Sequence, residues 1–222
     1  MSLLPCVEIE TGPAPTAAVV WLHGLGADGH DFEPIVPALA WPGQPAIRYV
    51  FPHAPRRAVT INGGTVMPAW YDIRGLDLKA RVDAEGIEDS GQAVADLVAR
   101  EQSRGVAPAS IVIAGFSQGG AVALFHALRA PEAYAGIVAL STYLPLAERL
   151  ADERSTANAK TPIFMGHGTQ DPVVPMALGE ASAQTLTSWG YDVGWKTYPM
   201  PHAVSPQEID DLRTFLSQRL RA

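Results

Sequence analysis

The chain has 222 residues, 47% hydrophobic and 18% charged, which excludes a disordered polymer and is enough to bury a substantial core. Its 16 Lys and Arg against 23 Asp and Glu leave a formal net charge of −7, so nucleic acid is not the expected partner, because phosphate binding needs a basic face. A single cysteine, Cys6, excludes an intrachain disulfide, and the start of the chain lacks a basic region and meets Glu8 early, unlike a secretory signal.

No apolar run approaches the roughly 20 residues that span a bilayer. The expectation is therefore a cytoplasmic chain folded as one domain over residues 1–222, with no stable membrane anchor. Twenty glycines and 19 prolines punctuate the apolar runs without forming a linker or repeat.

The first run, Ala17–Leu22, is continuous and short, as in a strand buried on both faces. His23-Gly-Leu-Gly-Ala-Asp-Gly29 follows it. Its glycines match G-x-G-x-x-G, the dinucleotide fingerprint, but no Asp or Glu lies between Glu33 and Asp72 to hold a ribose. Arg48 keeps a 2′-phosphate conceivable, while Pro34 and Pro37 spoil the helix that the fingerprint needs. The competing reading makes His23–Gly26 a loop that lends the Leu25 backbone N–H to an oxyanion, with the His23 side chain packed at the strand end.

A second strand is expected over Ala46–Phe51. The segment from Phe51 to Arg81 shows little regular pattern and carries Pro52-His-Ala-Pro55, Asn62-Gly-Gly64 and Met67-Pro-Ala-Trp-Tyr-Asp72. Met67, Trp70 and Tyr71 either line an apolar pocket or pack the loop onto the sheet. A helix is expected over Gly86–Arg104, closed by Gly105.

The third strand, Ser110–Ala114, leads into Gly115-Phe-Ser-Gln-Gly119 and a helix over Gln118–Arg129. G-x-S-x-G between a strand and a helix makes a sharp turn that thrusts Ser117 out at the helix N-terminus, where backbone N–H groups favour developing negative charge. A fourth strand is expected over Gly136–Leu140 and a fifth over Pro162–Met165. After the fifth comes His167-Gly-Thr-Gln-Asp171-Pro172, in which Asp171 is either a cap or an acid that orients a histidine. A helix over Pro175–Trp189 and a sixth, edge-like strand over Val193–Tyr198 precede Pro199-Met-Pro-His202-Ala203. Ser205-Pro-Gln-Glu208 then reads as a capping box for the last helix.

Strand–helix alternation builds a mostly parallel sheet covered on both faces, with ligands at the carboxyl ends of the strands. Ser117, Asp171 and His202 follow three such ends in the order that a strand–elbow–helix nucleophile requires. Serine needs a base to take its proton, histidine titrates near neutrality, and the acid fixes the imidazole tautomer. Leu25 and Gln118 are the expected oxyanion donors, and Leu25, Met67, Trp70 and Val173 are expected to surround a shallow acyl slot. His30, His53 and His126 lack metal-ligand spacing, His167 reads as structural at a strand end, there is no H-E-x-x-H, and Cys6 has no nucleophile signature, so neither metal nor other cofactor is expected.

His23-Gly-Leu-Gly26, Pro52-His-Ala-Pro55, Trp70-Tyr-Asp-Ile73, Gly115-Phe-Ser-Gln-Gly119, His167-Gly-Thr-Gln-Asp-Pro172 and His202 together resemble the phospholipase/carboxylesterase family, which includes bacterial carboxylesterases and acyl-protein thioesterases. The resemblance runs from about Thr16 to Leu220. It implies an α/β-hydrolase fold without a large lid, a Ser117–Asp171–His202 triad with Leu25 and Gln118 as oxyanion donors, a carboxylic ester of a short to medium acyl chain, an acyl thioester or a lysophospholipid as substrate, no cofactor, and pairing into homodimers. Pro201-His-Ala-Val204 departs from the His-Glu or His-Ser that the family often shows. The alternatives are a nicotinamide-binding oxidoreductase and a non-catalytic binding module of the same fold.

Overall fold

The computed structural model describes residues 3–75 and 82–221. The chain runs β1 (Cys6–Glu10), β2 (Ala17–Leu22), β3 (Ile47–Pro52), a hairpin of β4 (Arg56–Val59) and β5 (Thr65–Pro68), α1 (Ala84–Ser103), β6 (Ile111–Phe116), α2 (Gln118–Ala127), β7 (Gly136–Leu140), α3 (Ala147–Glu153), β8 (Ile163–Gly168), α4 (Met176–Ser188), β9 (Val193–Tyr198) and α5 (Pro206–Arg219). Residues 76–81, the end of the irregular stretch expected from the sequence, lie outside the described residues.

Seven strands form one sheet in the order β1-β3-β2-β6-β7-β8-β9. All neighbours are parallel except β1 and β3. β2, β3, β6, β7 and β8 are buried along their whole length, which is why they read as continuous apolar runs. β9 alternates and sits at the edge, as its sequence predicts.

Two cores form because successive strand residues face opposite ways. Val20, Leu22, Ile111 and Ile113 pack with Ile87, Val94 and Leu97 of α1 and Leu124 of α2. Val19, Trp21, Val112 and Ala114 pack with Leu212 and Leu216 of α5 and with Val36 and Leu39 of a short 3-10 segment, Glu33–Leu39. Each fully buried aliphatic side chain contributes about 1.5–3 kcal/mol over leaving it exposed. Among the described residues, no helix is long and apolar enough to cross a membrane.

Four features depart from the expectations. β1 is a strand whose Cys-Val-Glu-Ile-Glu alternation is itself a period-two signal. Its Glu10 pairs with Arg48 at 2.8 Å, and Arg48 also meets the fully buried Glu101 at 2.7 Å. Arg48 is thus engaged inside the protein and unavailable to a nucleotide. The stretch after β3 contains a real hairpin, turned at Asn62-Gly63-Gly64. α3 is short and buries only Leu150, too little for a visible periodicity.

The capping box is half made. Ser205 Oγ accepts from the Glu208 N–H at 3.2 Å, with Pro206 in the first turn, but the Glu208 carboxyl does not reach back. It is buried, and neither oxygen has a hydrogen-bond partner among the described residues.

Candidate active site

Ser117 has φ 55° and ψ −120°, a conformation that a β-substituted residue adopts only when its surroundings impose it. The surroundings are local glycines. A Cβ on Gly115 would collide with the Gly119 carbonyl, and one on Gly119 with the carbonyls of Leu22 and His23. The turn can therefore close between β6 and α2 only with glycine at both places. It also brings the elbow against the loop after β2, where a Cβ on Gly24 would lie 3.5 Å from Ser117 Cβ.

Ser117 Oγ stands 2.9 Å from His202 Nε2, and His202 Nδ1 stands 2.6 Å from Asp171 Oδ2. The three groups, from the ends of β6, β8 and β9, form one continuous hydrogen-bonded line. The Asp171 carboxyl is fully buried. Its Oδ1 accepts the backbone N–H groups of Val173 at 2.8 Å and Val174 at 2.9 Å. Both sequence readings of Asp171 are thus fulfilled by different oxygens: one caps the turn after Pro172, and the other meets the histidine. The turn cap leaves Oδ2 one orientation, which fixes the imidazole ring. Phe116 packs against that ring at 4.7 Å between centroids.

Of the expected oxyanion groups, Gln118 follows Ser117 in the chain, and Leu25 follows Gly24, the residue that abuts the Ser117 side chain. Among the described residues, no acceptor pairs with the backbone N–H of Leu25 or of Gln118. Gln118 opens α2, so its N–H also carries the positive end of the helix dipole.

The expected pocket residues separate into two groups. Leu25 and Met67 are half-buried and Val173 is 56% exposed, so all three present surface to solvent. Met67 Sδ lies close to Gly26, whose N–H donates to the Pro68 carbonyl at 2.9 Å. Trp70 and Tyr71 do not share that surface, being 0% and 2% exposed. Trp70 Nε1 donates to the His23 carbonyl at 2.9 Å, and the Trp70 N–H donates to Gln118 Oε1 at 2.8 Å. Gln118 Nε2 donates to the Tyr71 carbonyl at 2.7 Å, and the Tyr71 hydroxyl meets that of Tyr143 at 2.9 Å. These aromatics pack the loop onto the sheet, which is the other reading that the sequence left open.

Two further histidines are structural. Val174 C=O can only accept, so His167 Nε2 donates to it, at 2.9 Å, and burial holds its imidazole below the ordinary range. Burial does the same to His126, down to about 4, beside the Tyr134 hydroxyl. Sequence reasoning passed over Thr142, whose hydroxyl donates to the Ser117 carbonyl at 2.7 Å. The available signal was position, since Thr142 follows β7 at the same sheet end as the three groups.

The phospholipase/carboxylesterase family model matches residues 4–220. Acyl-protein thioesterase 1 of Gibberella zeae is 39% identical over 92% of this chain and 91% of its own length. Acyl-protein thioesterase 1 of Saccharomyces cerevisiae is 37% identical over 91% and 92%. Among solved structures, Arabidopsis thaliana SOBER1 superposes with a TM-score of 0.87 at 30% identity, covering 92% of this chain and 99% of that one. Zea mays acyl-protein thioesterase 2 superposes at 0.83 and 30%, covering 96% and 99%. This chain therefore belongs to the phospholipase/carboxylesterase family, and it is a serine hydrolase with the α/β-hydrolase fold.

Proposed function

We propose that the chain cleaves acyl thioesters and carboxylic esters of short to medium acyl chains through an acyl-enzyme on Ser117. The observation that carries this reading is the unbroken line Ser117 Oγ–His202–Asp171 at 2.9 and 2.6 Å. With Nδ1–H donating to Asp171, the imidazole presents a free lone pair at Nε2 to the serine hydroxyl. Ser117 Oγ attacks the acyl carbon while His202 Nε2 takes its proton. The tetrahedral oxyanion is received by the Leu25 and Gln118 N–H groups. Collapse expels the thiolate or alkoxide, His202 returns the proton, and water repeats the sequence to free the acid. Arg48, held by two carboxylates, and the proline-bearing 3-10 segment after the glycines leave the dinucleotide reading without support.

Leu25, Met67 and Val173 form the acyl-facing rim, as their exposed surface supports. The inclusion of thioesters rests on the names of the thioesterase relatives. A reducing cytoplasm is the proposed compartment, in keeping with a lone cysteine. The test is an alkyl fluorophosphonate probe with a thioester assay. Wild type should be labelled and active, and Ser117→Ala should lose labelling and at least ~10⁴-fold in kcat while keeping its fold. A Ser117→Ala protein retaining a tenth of wild-type turnover overturns the assignment.

A further inference from the structure

Each proposed oxyanion donor belongs to a peptide group whose carbonyl lies on the opposite edge of the same plane. A trans peptide is rigid, so fixing the carbonyl aims the N–H. The Leu25 N–H shares its plane with the Gly24 carbonyl. That carbonyl faces His23 Nδ1 at 2.7 Å and the Ala27 N–H at 3.3 Å. The Gln118 N–H shares its plane with the Ser117 carbonyl. That carbonyl accepts from the Thr142 hydroxyl at 2.7 Å and the Ala121 N–H at 3.1 Å.

The His23 tautomer follows from its partners. The Ala54 N–H can only donate, and it meets Nε2 at 3.1 Å, so Nε2 is the acceptor. Nδ1 must then carry the proton that it gives to the Gly24 carbonyl. Burial holds the imidazole below its ordinary value, which keeps this neutral form in place. Trp70 Nε1 holds the next carbonyl back, that of His23 itself. His23 and Thr142 are both buried, at 2% and 1% exposure, so water does not compete for either anchor.

We infer that His23 and Thr142 are positioning residues for the oxyanion hole, each aiming one catalytic N–H by pinning the carbonyl behind it. The inference rests on the assignment of Leu25 and Gln118 as oxyanion donors. Neither side chain touches the substrate. Their effect falls on the oxyanion-bearing states, because the ground-state carbonyl draws less on the two donors.

Thr142→Val keeps the shape and removes the hydroxyl; Thr142→Ser keeps the hydroxyl. Losing an oxyanion donor outright costs ~10²–10³ in kcat, so loosening one should cost roughly tenfold. Thr142→Val is expected to lower kcat about that much, leave KM within about twofold, and weaken a chain-matched alkyl trifluoromethyl ketone by the same factor. Thr142→Ser should restore both. His23→Asn, which keeps a donor near the Nδ1 position, should likewise retain more kcat and ketone affinity than His23→Leu, an independent pair should the buried valine not fold. Wild-type kcat and ketone affinity in Thr142→Val, or a serine variant no better than the valine, overturns the inference. Failure of the underlying reading looks different: turnover or labelling survives Ser117→Ala.

Discussion

The loops at the carboxyl ends of β6, β8 and β9 and the long connection between β3 and α1 both looked chemically rich, yet they use their conspicuous side chains in opposite ways. In the first region Ser117, Asp171 and His202 meet at hydrogen-bonding distance. In the second, Trp70 and Tyr71 turn inward and serve as struts. The direction of Ser117 is set by glycines two residues away on either side, and that of Asp171 by a turn cap within three residues. The direction of Trp70 is set by the His23 carbonyl and the Gln118 amide, 47 and 48 residues distant along the chain. A residue's role is readable when its orientation is imposed locally and ambiguous when it is imposed across the fold.

The largest way to test that contrast lies in the acid. Asp171→Asn should keep the fold and cost ~10³–10⁴ in kcat, because an amide can offer His202 a donor where an acceptor is needed. Asp192 also lies between the serine and the histidine in sequence, but it is exposed and precedes β9, at the far end of the sheet. Asp192→Asn should leave kcat within about twofold, as surface changes usually do. Steady-state kinetics on both variants, with thermal melts to check folding, decide it; a reversed pair of results moves the acid to Asp192.

Much of the sheet and the alignment of Ser117, Asp171 and His202 was legible because both obey short-range rules. Buried parallel strands are continuous apolar runs, and elbows need glycines at fixed offsets. β1 was legible in principle through its alternation, but a five-residue run with two glutamates resembles an exposed tail until Arg48, Arg100 and Arg104 are seen to gather against it. The hairpin carried an Asn-Gly turn inside a stretch otherwise interrupted by Pro52, Pro55 and Pro68. The Trp70 strut and the Thr142 anchor were not legible, since each is defined by a backbone carbonyl that only the folded chain brings near.

The next test separates strut from rim. Trp70→Ala removes a fully buried indole, its bond to His23 and core contacts, and should cost ~3–5 kcal/mol of stability. Its kcat/KM should fall by a similar factor for acetyl, butyryl and octanoyl thioesters. Met67→Ala and Val173→Ala should barely change the melting temperature and should instead flatten the dependence on chain length. Each methylene buried along the rim is worth about 0.8 kcal/mol, close to fourfold in kcat/KM, until the slot is full. A Trp70→Ala protein with a normal melt and a flattened profile would return Trp70 to the pocket and erase the contrast between the two regions.

The smallest expected effect concerns Glu208, where a local signal pointed the wrong way. Its spacing from Ser205 suggested a carboxylate closing a capping box, yet the carboxyl is enclosed against Gly166, without hydrogen-bond partners among the described residues, and burial, with Asp211 adding repulsion, pushes its pKa up to about 8. The folded chain therefore holds a proton that the unfolded chain releases near 4.5, the ordinary value for this group. This contribution to stability is full below that ordinary value. It declines as pH rises through about 8, by at most the ~1.4 kcal/mol per pH unit that one titrating proton allows. Glu208→Gln stays neutral throughout, so it should match wild type at pH 4–5, exceed it by a few degrees in Tm at pH 8–9, and show a flatter Tm profile between. Parallel profiles for the two proteins would mean that Glu208 is ionised at neutral pH and has a donor after all, which would restore it to the cap.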